Sequence, residues 1–241
     1  ILVVIDDLHK KRHYCDILVN SNYLPNIKKF YKNKIYLNTK YLLGTKYLLL
    51  NNQLRKLKNK ANKSTIQNIL VFYGNNDLTY QTEKIIKLLI DINFKKLNIN
   101  IVLGKFNTRK KIIIKLIRKY KQFKLYTQLS HEEFLGHLSR SNLYLGSGGI
   151  TFWESLFFRI PSIITITAIN QLANIKHLKR DKCLNSVFFI SKNNLANLKK
   201  KIYFFLNTQN LKENFYNKDL SLDGKGALRV SKFIKNTYNK L

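Results

Sequence analysis

The sequence predicts an α/β fold in which a parallel sheet is covered by helices on both faces. Beyond residue 66, short apolar runs alternate with segments of helical periodicity through six strand–helix pairs. The apolar runs are nearly continuous and end at glycine or polar residues, as buried parallel strands do. A chain of 241 residues, 45% of them hydrophobic, is long enough to bury such a core.

The alternation begins with the apolar run 68–73, which ends at Gly74 and precedes a helical pattern over 78–94. The same order follows in the run 99–103, which ends at Gly104 and leads to a basic amphipathic helix over 105–121. Four more strands are expected at 123–126, 142–145, 162–167 and 187–190. Their helices are expected at 131–139, at 151–158, from 171 onward and at 195–206. This order predicts a doubly wound sheet.

Residues 1–55 do not follow the alternation. Short strands are expected at 1–5, 16–20 and 46–50, and we interpret this part as the end of a preceding Rossmann-like domain. The remaining predicted divisions are a lysine-rich linker at 56–66, a second Rossmann-like domain at 67–208, and a C-terminal extension with a final helix at 209–241. Met is absent, including at position 1, and the chain opens on an apolar strand, so we expect a fragment that lacks its beginning.

The net charge of +31, from 44 Lys and Arg against 13 Asp and Glu, has two interpretations. Such a charge attracts nucleic acids and other polyanions. The alternative is a bias toward AT-rich codons, because Lys, Asn, Ile, Phe and Tyr are all abundant and the lysines are spread along the chain. We favour the bias, since no nucleic-acid-binding motif is present. No nucleic-acid partner is therefore expected.

Simple counts exclude several classes of protein. No run of about 18 uncharged apolar residues occurs, so no transmembrane segment is expected. Cys15 and Cys183 are too few for a disulfide scaffold, and we interpret both as small buried hydrophobic residues. The cysteines and histidines lack metal-ligand spacing, so neither a metal nor a cofactor is expected. We expect a cytoplasmic protein.

The segment YLGSGGITFWE joins a predicted strand to a predicted helix through Gly146, Ser147, Gly148 and Gly149. Glycines let the backbone approach a ligand closely, and a helix N-terminus offers unpaired N–H groups, which together make a phosphate-binding turn. Glu154 follows about one turn into the helix, where its carboxylate can accept hydrogen bonds from a ribose diol. A tight turn without a ligand is the alternative, because neither the dinucleotide-binding nor the P-loop spacing is present.

Two further polar loops are predicted on the same edge of the sheet. Asn170 and Gln171 follow the strand at 162–167, and their amides can fix sugar hydroxyls, although Asn is also a common helix N-cap. Gly74 begins the loop that leads to Asp77, which we interpret as an N-cap. Because open α/β sheets bind ligands at the carboxyl ends of their strands, the three loops together predict a ligand site.

Other side chains have less support as functional groups. His131 opens a predicted helix and is interpreted as a surface residue with a capping role. His13 lies in a predicted loop close to Asp6 and Asp7 and is a secondary candidate, whereas Trp153 is expected in the core. None of these residues enters the predicted ligand site.

The motifs that follow one another along the chain are VIDDL at 4–8, CDILVNSN at 15–22, LGTKYLL at 43–49, FYGNND at 72–77, GSGGITFWE at 146–154, NQ at 170–171 and DGKGALR at 223–229. This ordered set resembles the nucleotide-sugar hydrolases of pseudaminic acid biosynthesis, UDP-2,4-diacetamido-2,4,6-trideoxy-β-L-altropyranose hydrolase. That group is related to spore-coat polysaccharide proteins and to the lipid II-forming N-acetylglucosaminyltransferase. The resemblance spans nearly the whole chain, and its specificity lies in the order of the motifs.

The resemblance implies a GT-B-like fold of two Rossmann-like domains, with UDP bound mostly by the second. It implies that Gly74 and the turn from Gly146 to Gly149 meet UDP, that Glu154 meets the ribose, and that Asn170 and Gln171, as catalytic candidates, lie near the sugar. The family hydrolyses the C1–O bond to UDP with inversion and without a metal, using a histidine near its N-terminus to activate water. That histidine has no counterpart here, so this chain alone is expected to be inactive.

Two positions depart from the family pattern, which often has Gly where Asn75 stands and Arg where Asn51 stands. The leading hypothesis is a UDP-sugar hydrolase. A GT-B glycosyltransferase with a UDP-sugar donor is the alternative within the same fold, and a basic nucleic-acid-binding module is the second alternative.

Overall fold

The computed structural model describes residues 1–8, 10–32, 34, 38–57, 66–92, 97–191, 194–208, 215–216 and 219–239. The chain forms two compact units. The first unit comprises Ile1–Lys56, Ile169–Leu184 and Tyr216–Leu241, and the second unit comprises Leu57–Ala168 and Asn185–Phe215. Each unit is built around its own parallel sheet.

The strands in the described residues are β1 (Val3–Ile5), β2 (Ile17–Asn20), β3 (Lys40–Leu43), β4 (Asn68–Phe72), β5 (Asn98–Leu103), β6 (Phe123–Thr127), β7 (Leu143–Ser147), β8 (Ser162–Ile166) and β9 (Val187–Ser191). The α-helices are α1 (Ile27–Phe30), α2 (Gln81–Ile92), α3 (Lys110–Ile117), α4 (His131–Ser139), α5 (Ile150–Phe157), α6 (Ile169–Arg180), α7 (Leu195–Asn207) and α8 (Gly226–Tyr238). None of the helices described is long and apolar enough to cross a membrane.

The second unit contains six parallel strands in the order β6-β5-β4-β7-β8-β9. From β4 the chain adds β5 and β6 on one side and then returns to place β7 on the other side of β4. This reversal makes the region between the carboxyl ends of β4 and β7 a topological switch point, where open sheets leave a crevice for ligands. The doubly wound topology predicted from the alternation is confirmed.

The central strands of this sheet are apolar because helices cover both faces. Ile69, Leu70 and Val71 of β4 are consecutive and all fully buried. Ile85 of α2 and Ile113 of α3 are equally buried and belong to the same core cluster as Ile69 and Val71. The buried faces of both helices are the ones that their sequence periodicity predicts.

Two boundaries differ from the sequence prediction in ways that bear on function. β7 extends to Ser147, so Gly146 is a strand residue rather than part of the turn. α3 covers only Lys110–Ile117 of the predicted 105–121, which leaves Lys105 in the loop after β5. The helix predicted at 78–94 is observed as α2, and positions 93–94 lie outside the described residues.

The sheet of the first unit has the parallel order β1-β2-β3. The strand predicted at 46–50 is wrong, because the third strand is β3 and Gly44 follows it with a φ of 93°. A 3-10 turn, Thr45–Tyr47, comes next. Leu48 and Leu50 are buried without pairing in a strand, so their apolar pattern reflects packing alone.

Side-chain hydrogen bonds tie α6 to the loop after β2 in the first unit. The Tyr23 backbone N–H donates to the Asn174 side-chain oxygen at 2.6 Å, and the Tyr23 hydroxyl donates to Asp181 at 3.0 Å. The compact units therefore divide the chain differently from the sequence-based bounds, which place α6 within 67–208. Most of the predicted linker, 58–65, lies outside the described residues.

We predict that Gly146→Ala destabilises the protein by about 2–3 kcal/mol, as overpacking of a buried site does. A Cβ at this position would meet the Tyr144 hydroxyl and the Phe72 carbonyl oxygen, and Tyr144 is fully buried and has no room to move. Urea denaturation of the variant and the wild type measures the loss in the free energy of unfolding.

The matched control is Gly149→Ala, three residues away. A Cβ there meets nothing within 4 Å, and the φ of −82° suits any residue. Its free energy of unfolding should change by less than about 1 kcal/mol. Equal losses in the two variants would contradict the packing role assigned to Gly146.

Candidate functional site

A cavity of about 580 Å³ opens at the carboxyl ends of the strands in the second unit. Its polar rim is formed by Gly74 and Asn75 after β4, Gly104 and Lys105 after β5, Gln128 after β6, and Ser147 and Gly149 at the end of β7. Residues after both β4 and β7 line the cavity, which therefore lies at the topological switch point of the sheet.

Gly104 permits the loops after β4 and β5 to meet. A Cβ on Gly104 would collide with the backbone of Gly74 and Asn75. The glycine that ends the predicted strand is therefore required by a close backbone approach, and this approach forms one wall of the cavity.

The N-terminus of α5 also lines the cavity, through Ile150 and Thr151. Gly149 is the N-cap and has no side chain to accept from the first N–H groups, and no acidic residue lies in the first turn. The first N–H groups of a helix lack intrahelical acceptors and carry the positive end of the helix dipole. This end of α5 is thus suited to bind an anion such as a phosphate.

Glu154 lies one turn into α5, and its side chain is only 1% exposed. Its Oε1 is 3.1 Å from Nε2 of His131, a residue that lines the cavity and is 44% exposed. Its Oε2 has no hydrogen-bond partner among the described residues. A buried carboxylate oxygen without a partner is energetically unfavourable, so this atom is suited to a ligand donor.

Burial sets the protonation of the His131–Glu154 pair. It raises the pKa of Glu154 to about 7, a shift opposed by a hydrogen bond with Thr151. Burial also lowers the pKa of His131. Because both shifts disfavour charge, burial favours a neutral acid next to a neutral imidazole over an ion pair.

The structure divides the residues predicted to bind UDP into three groups. Gly74, Ser147 and Gly149 line the cavity directly. Glu154 lies behind the lining and contacts it through His131. Gly146 and Gly148 are not among the lining residues, and the strand packing at Tyr144 accounts for the glycine at Gly146.

Asn170 and Gln171 lie in α6, which belongs to the first unit. The Asn170 side chain is exposed, whereas Gln171 is buried, with 8% of its surface accessible. Their assignment to the sugar stays a prediction.

The surface position predicted for His131 is confirmed, whereas the capping role predicted for it is wrong. The cap of α4 is Ser130, whose hydroxyl accepts from the Glu133 N–H while the Glu133 carboxylate accepts from the Ser130 N–H. His131 is therefore not needed as a cap, and it contacts Glu154. The available signal was its position just after β6, on the same edge as the other loops. Asp77, by contrast, accepts from the N–H groups of Gln81 and Thr82 and caps α2 as predicted.

No protein-family model and no curated protein sequence matches this chain. Solved structures do match it in fold. The S. aureus MnaA–UDP co-structure is 13% identical and aligns with a TM-score of 0.69 over 94% of this chain and 61% of its own. MurG from Acinetobacter baumannii is 12% identical, with a TM-score of 0.57 over 99% of this chain and 66% of its own.

UDP-GlcNAc 2-epimerase from Methanocaldococcus jannaschii, in complex with UDP-GlcNAc and UDP, is 16% identical. It aligns with a TM-score of 0.54 over 85% of this chain and 56% of its own. The chain thus spans about three fifths of the length of the structures that it matches. These matches confirm the predicted α/β, GT-B-like fold with its Rossmann-like parallel sheet.

We predict that Glu154→Gln becomes increasingly more stable than the wild type as pH rises from 4.5 to 7. The folded wild type keeps its proton up to about pH 7, whereas the unfolded chain loses it near the ordinary value of 4.5. The folded state therefore binds more protons in this window, and the stability linked to this carboxyl is lost as pH rises through 7. Between pH 4.5 and 7 the wild type should lose on the order of 3 kcal/mol of unfolding free energy relative to Glu154→Gln.

Urea denaturation at several pH values measures this effect. The matched control is Glu132→Gln, at an exposed position of α4. Its difference from the wild type should not grow across the same window. A Glu154→Gln difference that stays constant between pH 4.5 and 7 would contradict the burial of an ionisable Glu154.

Proposed function

We propose that this chain binds a UDP-linked sugar and that the cavity of the second unit takes the nucleotide. The observation that carries the proposal is the unpartnered, buried Oε2 of Glu154 one turn behind the open N-terminus of α5. An anion-binding helix end next to a buried acceptor matches a ligand with a phosphate linked to a diol. UDP is such a ligand, and two of the fold matches are complexes with UDP.

The residues that line the cavity include chemically suitable partners for the diphosphate and for the base. The diphosphate is placed at the N-terminus of α5, next to Ser147 and Gly149. The base is placed against the apolar part of the wall, which includes Phe72, Val102 and Phe134.

The ribose diol is placed at Glu154. Since Oε1 is already 3.1 Å from His131, we expect a ribose hydroxyl to take the place of the imidazole at this oxygen and a second hydroxyl to satisfy Oε2. The exposed imidazole has space to turn away, whereas Glu154 is held within the core. Two hydrogen bonds to an acceptor that lacks one partner favour the bound state.

For the reaction we propose hydrolysis of a UDP-linked 2,4-diacetamido-2,4,6-trideoxy sugar, as in pseudaminic acid biosynthesis. The ordered motif set supports this assignment. Water attacks C1 with inversion: its oxygen bonds to C1, and the C1–O bond to UDP breaks so that UDP leaves with the electron pair. The proton of the water passes to a general base, for which the resemblance implies a histidine that has no counterpart in this sequence. Asn170 and Gln171 are the candidates for contacts with the sugar, and no metal takes part.

We predict saturable binding of UDP, measured by isothermal titration calorimetry, that Glu154→Ala weakens about tenfold, the value of about one hydrogen bond. 2′-Deoxy-UDP lacks one hydroxyl of the diol, so the wild type should bind it more weakly than UDP. The Glu154→Ala variant should not distinguish the two nucleotides, because its ribose acceptor is gone.

Glu132→Ala, at an exposed position, is the control and should bind UDP like the wild type. Urea denaturation must show that Glu154→Ala is folded under the titration conditions. Titrations at two salt concentrations separate a specific site from attraction by the net charge of +31. Binding that is indifferent to Glu154 and disappears with salt would overturn the proposal, as would no binding by the folded wild type.

A further inference from the structure

A second polar centre lies at the carboxyl edge of the sheet in the first unit. Asp6 follows β1 directly, and Asn20 is the last residue of β2, its neighbour in the sheet. Both side chains are almost completely buried, with 10% of the Asp6 side chain and none of Asn20 exposed. Buried polar groups at this edge of a parallel sheet are found where such sheets bind ligands.

The Asp6 carboxylate is held in one orientation by several donors. Its Oδ2 accepts from the Tyr31 hydroxyl at 2.8 Å and lies 3.1 Å from the His13 Nε2. Its Oδ1 accepts from the Leu8 backbone N–H at 2.9 Å. Tyr31 is fixed in turn, because its hydroxyl accepts from the Asn20 side-chain amide at 2.6 Å. These bonds prevent the carboxylate from rotating freely.

His13 contacts the Asp6 carboxylate through its imidazole. Its imidazole is mostly buried, with 16% of the side chain exposed, and its backbone N–H donates to the Lys34 carbonyl at 2.8 Å. Because a carboxylate only accepts hydrogen bonds, the contact requires a proton on Nε2. His13 therefore acts through Asp6, as a positioning residue.

Asp6 also lines a cavity of about 690 Å³ in the first unit. The other charged residues of the lining are Asp7, Lys10 and Lys11, so two carboxylates face two ammonium groups. The two negative and two positive charges cancel, so the net charge of the lining favours neither a cationic nor an anionic ligand. The remaining lining is a neutral amide, Asn170, and the apolar side chains of Leu8 and Ile169.

This combination suits a neutral sugar. Carboxylate and amide groups hydrogen-bond hydroxyls, and apolar side chains pack on the C–H face of a pyranose ring. The volume of the cavity exceeds that of one monosaccharide. Asn170 was expected near a sugar from the sequence, whereas Asp6 and His13 were not assigned to any site.

We propose that this cavity is a sugar-binding site in which Asp6 accepts hydrogen bonds from sugar hydroxyls and His13 holds Asp6 in place. The assignment of the ligand to sugars rests on the proposed function. The site itself lies wholly within the first unit, so its ligand binding is measurable without a nucleotide.

The direct test is a titration of the full chain with free N-acetylglucosamine, followed by NMR shifts of the Asn170 side-chain amide and the Lys10 and Lys11 backbone amides. We expect saturable shifts with a Kd on the order of millimolar, the usual range for a small neutral ligand that makes few contacts. Inorganic phosphate serves as the anionic probe and should shift these signals less. No shift with the sugar, or tighter binding of phosphate, would overturn the proposal.

Single substitutions test which residues contribute to sugar binding. Asp6→Asn should weaken sugar binding about tenfold, the value of a hydrogen bond to a charged group. Asn170→Ala should also weaken it, and because Asn170 is exposed this variant tests the cavity even where Asp6→Asn does not fold. Asn207→Ala, an exposed position on α7, is the matched control and should leave the affinity unchanged.

The role of His13 has its own measurement. His13→Gln keeps a side-chain N–H donor for Asp6 and should retain sugar binding, whereas His13→Leu removes the donor and should weaken binding about tenfold. Equal sugar affinity in both variants, with only their stability reduced, would show that His13 has a purely structural role and would overturn its assignment.

Calorimetry with UDP on the same samples separates this inference from the proposed function. We expect all of these variants to bind UDP like the wild type. A chain that binds the sugar but not UDP would contradict only the proposed function, and a chain that binds UDP but not the sugar would contradict only the site at Asp6.

Discussion

The close pairing of β4 with β7 is the constraint on which the second unit depends. Gly146 lies opposite Phe72 in the register of these strands, and the absence of a side chain there leaves room for the buried Tyr144 hydroxyl to donate to the Phe72 carbonyl at 3.1 Å. This pairing brings the end of β7 next to the loop after β4, and α5 starts from that point. The cavity and the start of α5 are therefore shaped by a packing requirement within the sheet, to which Gly146 contributes although it is not among the lining residues.

The strand–helix alternation could be predicted from the sequence because each element buries its own apolar face, which is a local property. The turn between β7 and α5 was also recognisable, since Ser147 ends a strand and Gly149 precedes a helix. Two errors have a common cause. The apolar run at 46–50 was taken for a strand although its leucines are buried by packing outside the sheet, and His131 was taken for a cap although it contacts Glu154. Both errors concern residues whose surroundings depend on contacts with residues that are distant in sequence. The local sequence pattern carries no information about such contacts.

Glu154 shows how the proposed binding function conflicts with stability. A carboxyl with a pKa raised to about 7 by burial is an unfavourable group in a core, and an apolar residue of similar volume would avoid the desolvation penalty. The unpartnered Oε2 adds to this penalty. Such a group is consistent with a site whose ligand supplies the missing donor, because the unfavourable term in the free protein then becomes part of the binding free energy.

Asp6 and Glu154 are both buried acidic residues that contact a histidine. They differ in the hydrogen-bond donors that their carboxylate oxygens already have. Asp6 has donors on both oxygens, from Tyr31 and His13 on one and from a backbone N–H on the other, so its orientation is set before any ligand arrives. Glu154 has His131 next to one oxygen and no partner among the described residues on the other. A preorganised acceptor loses little entropy on binding and discriminates by geometry, which suits the weak, directional recognition of sugar hydroxyls. An incompletely satisfied acceptor gains more from a ligand donor and suits the part of a substrate that supplies most of the affinity, which we propose is the nucleotide.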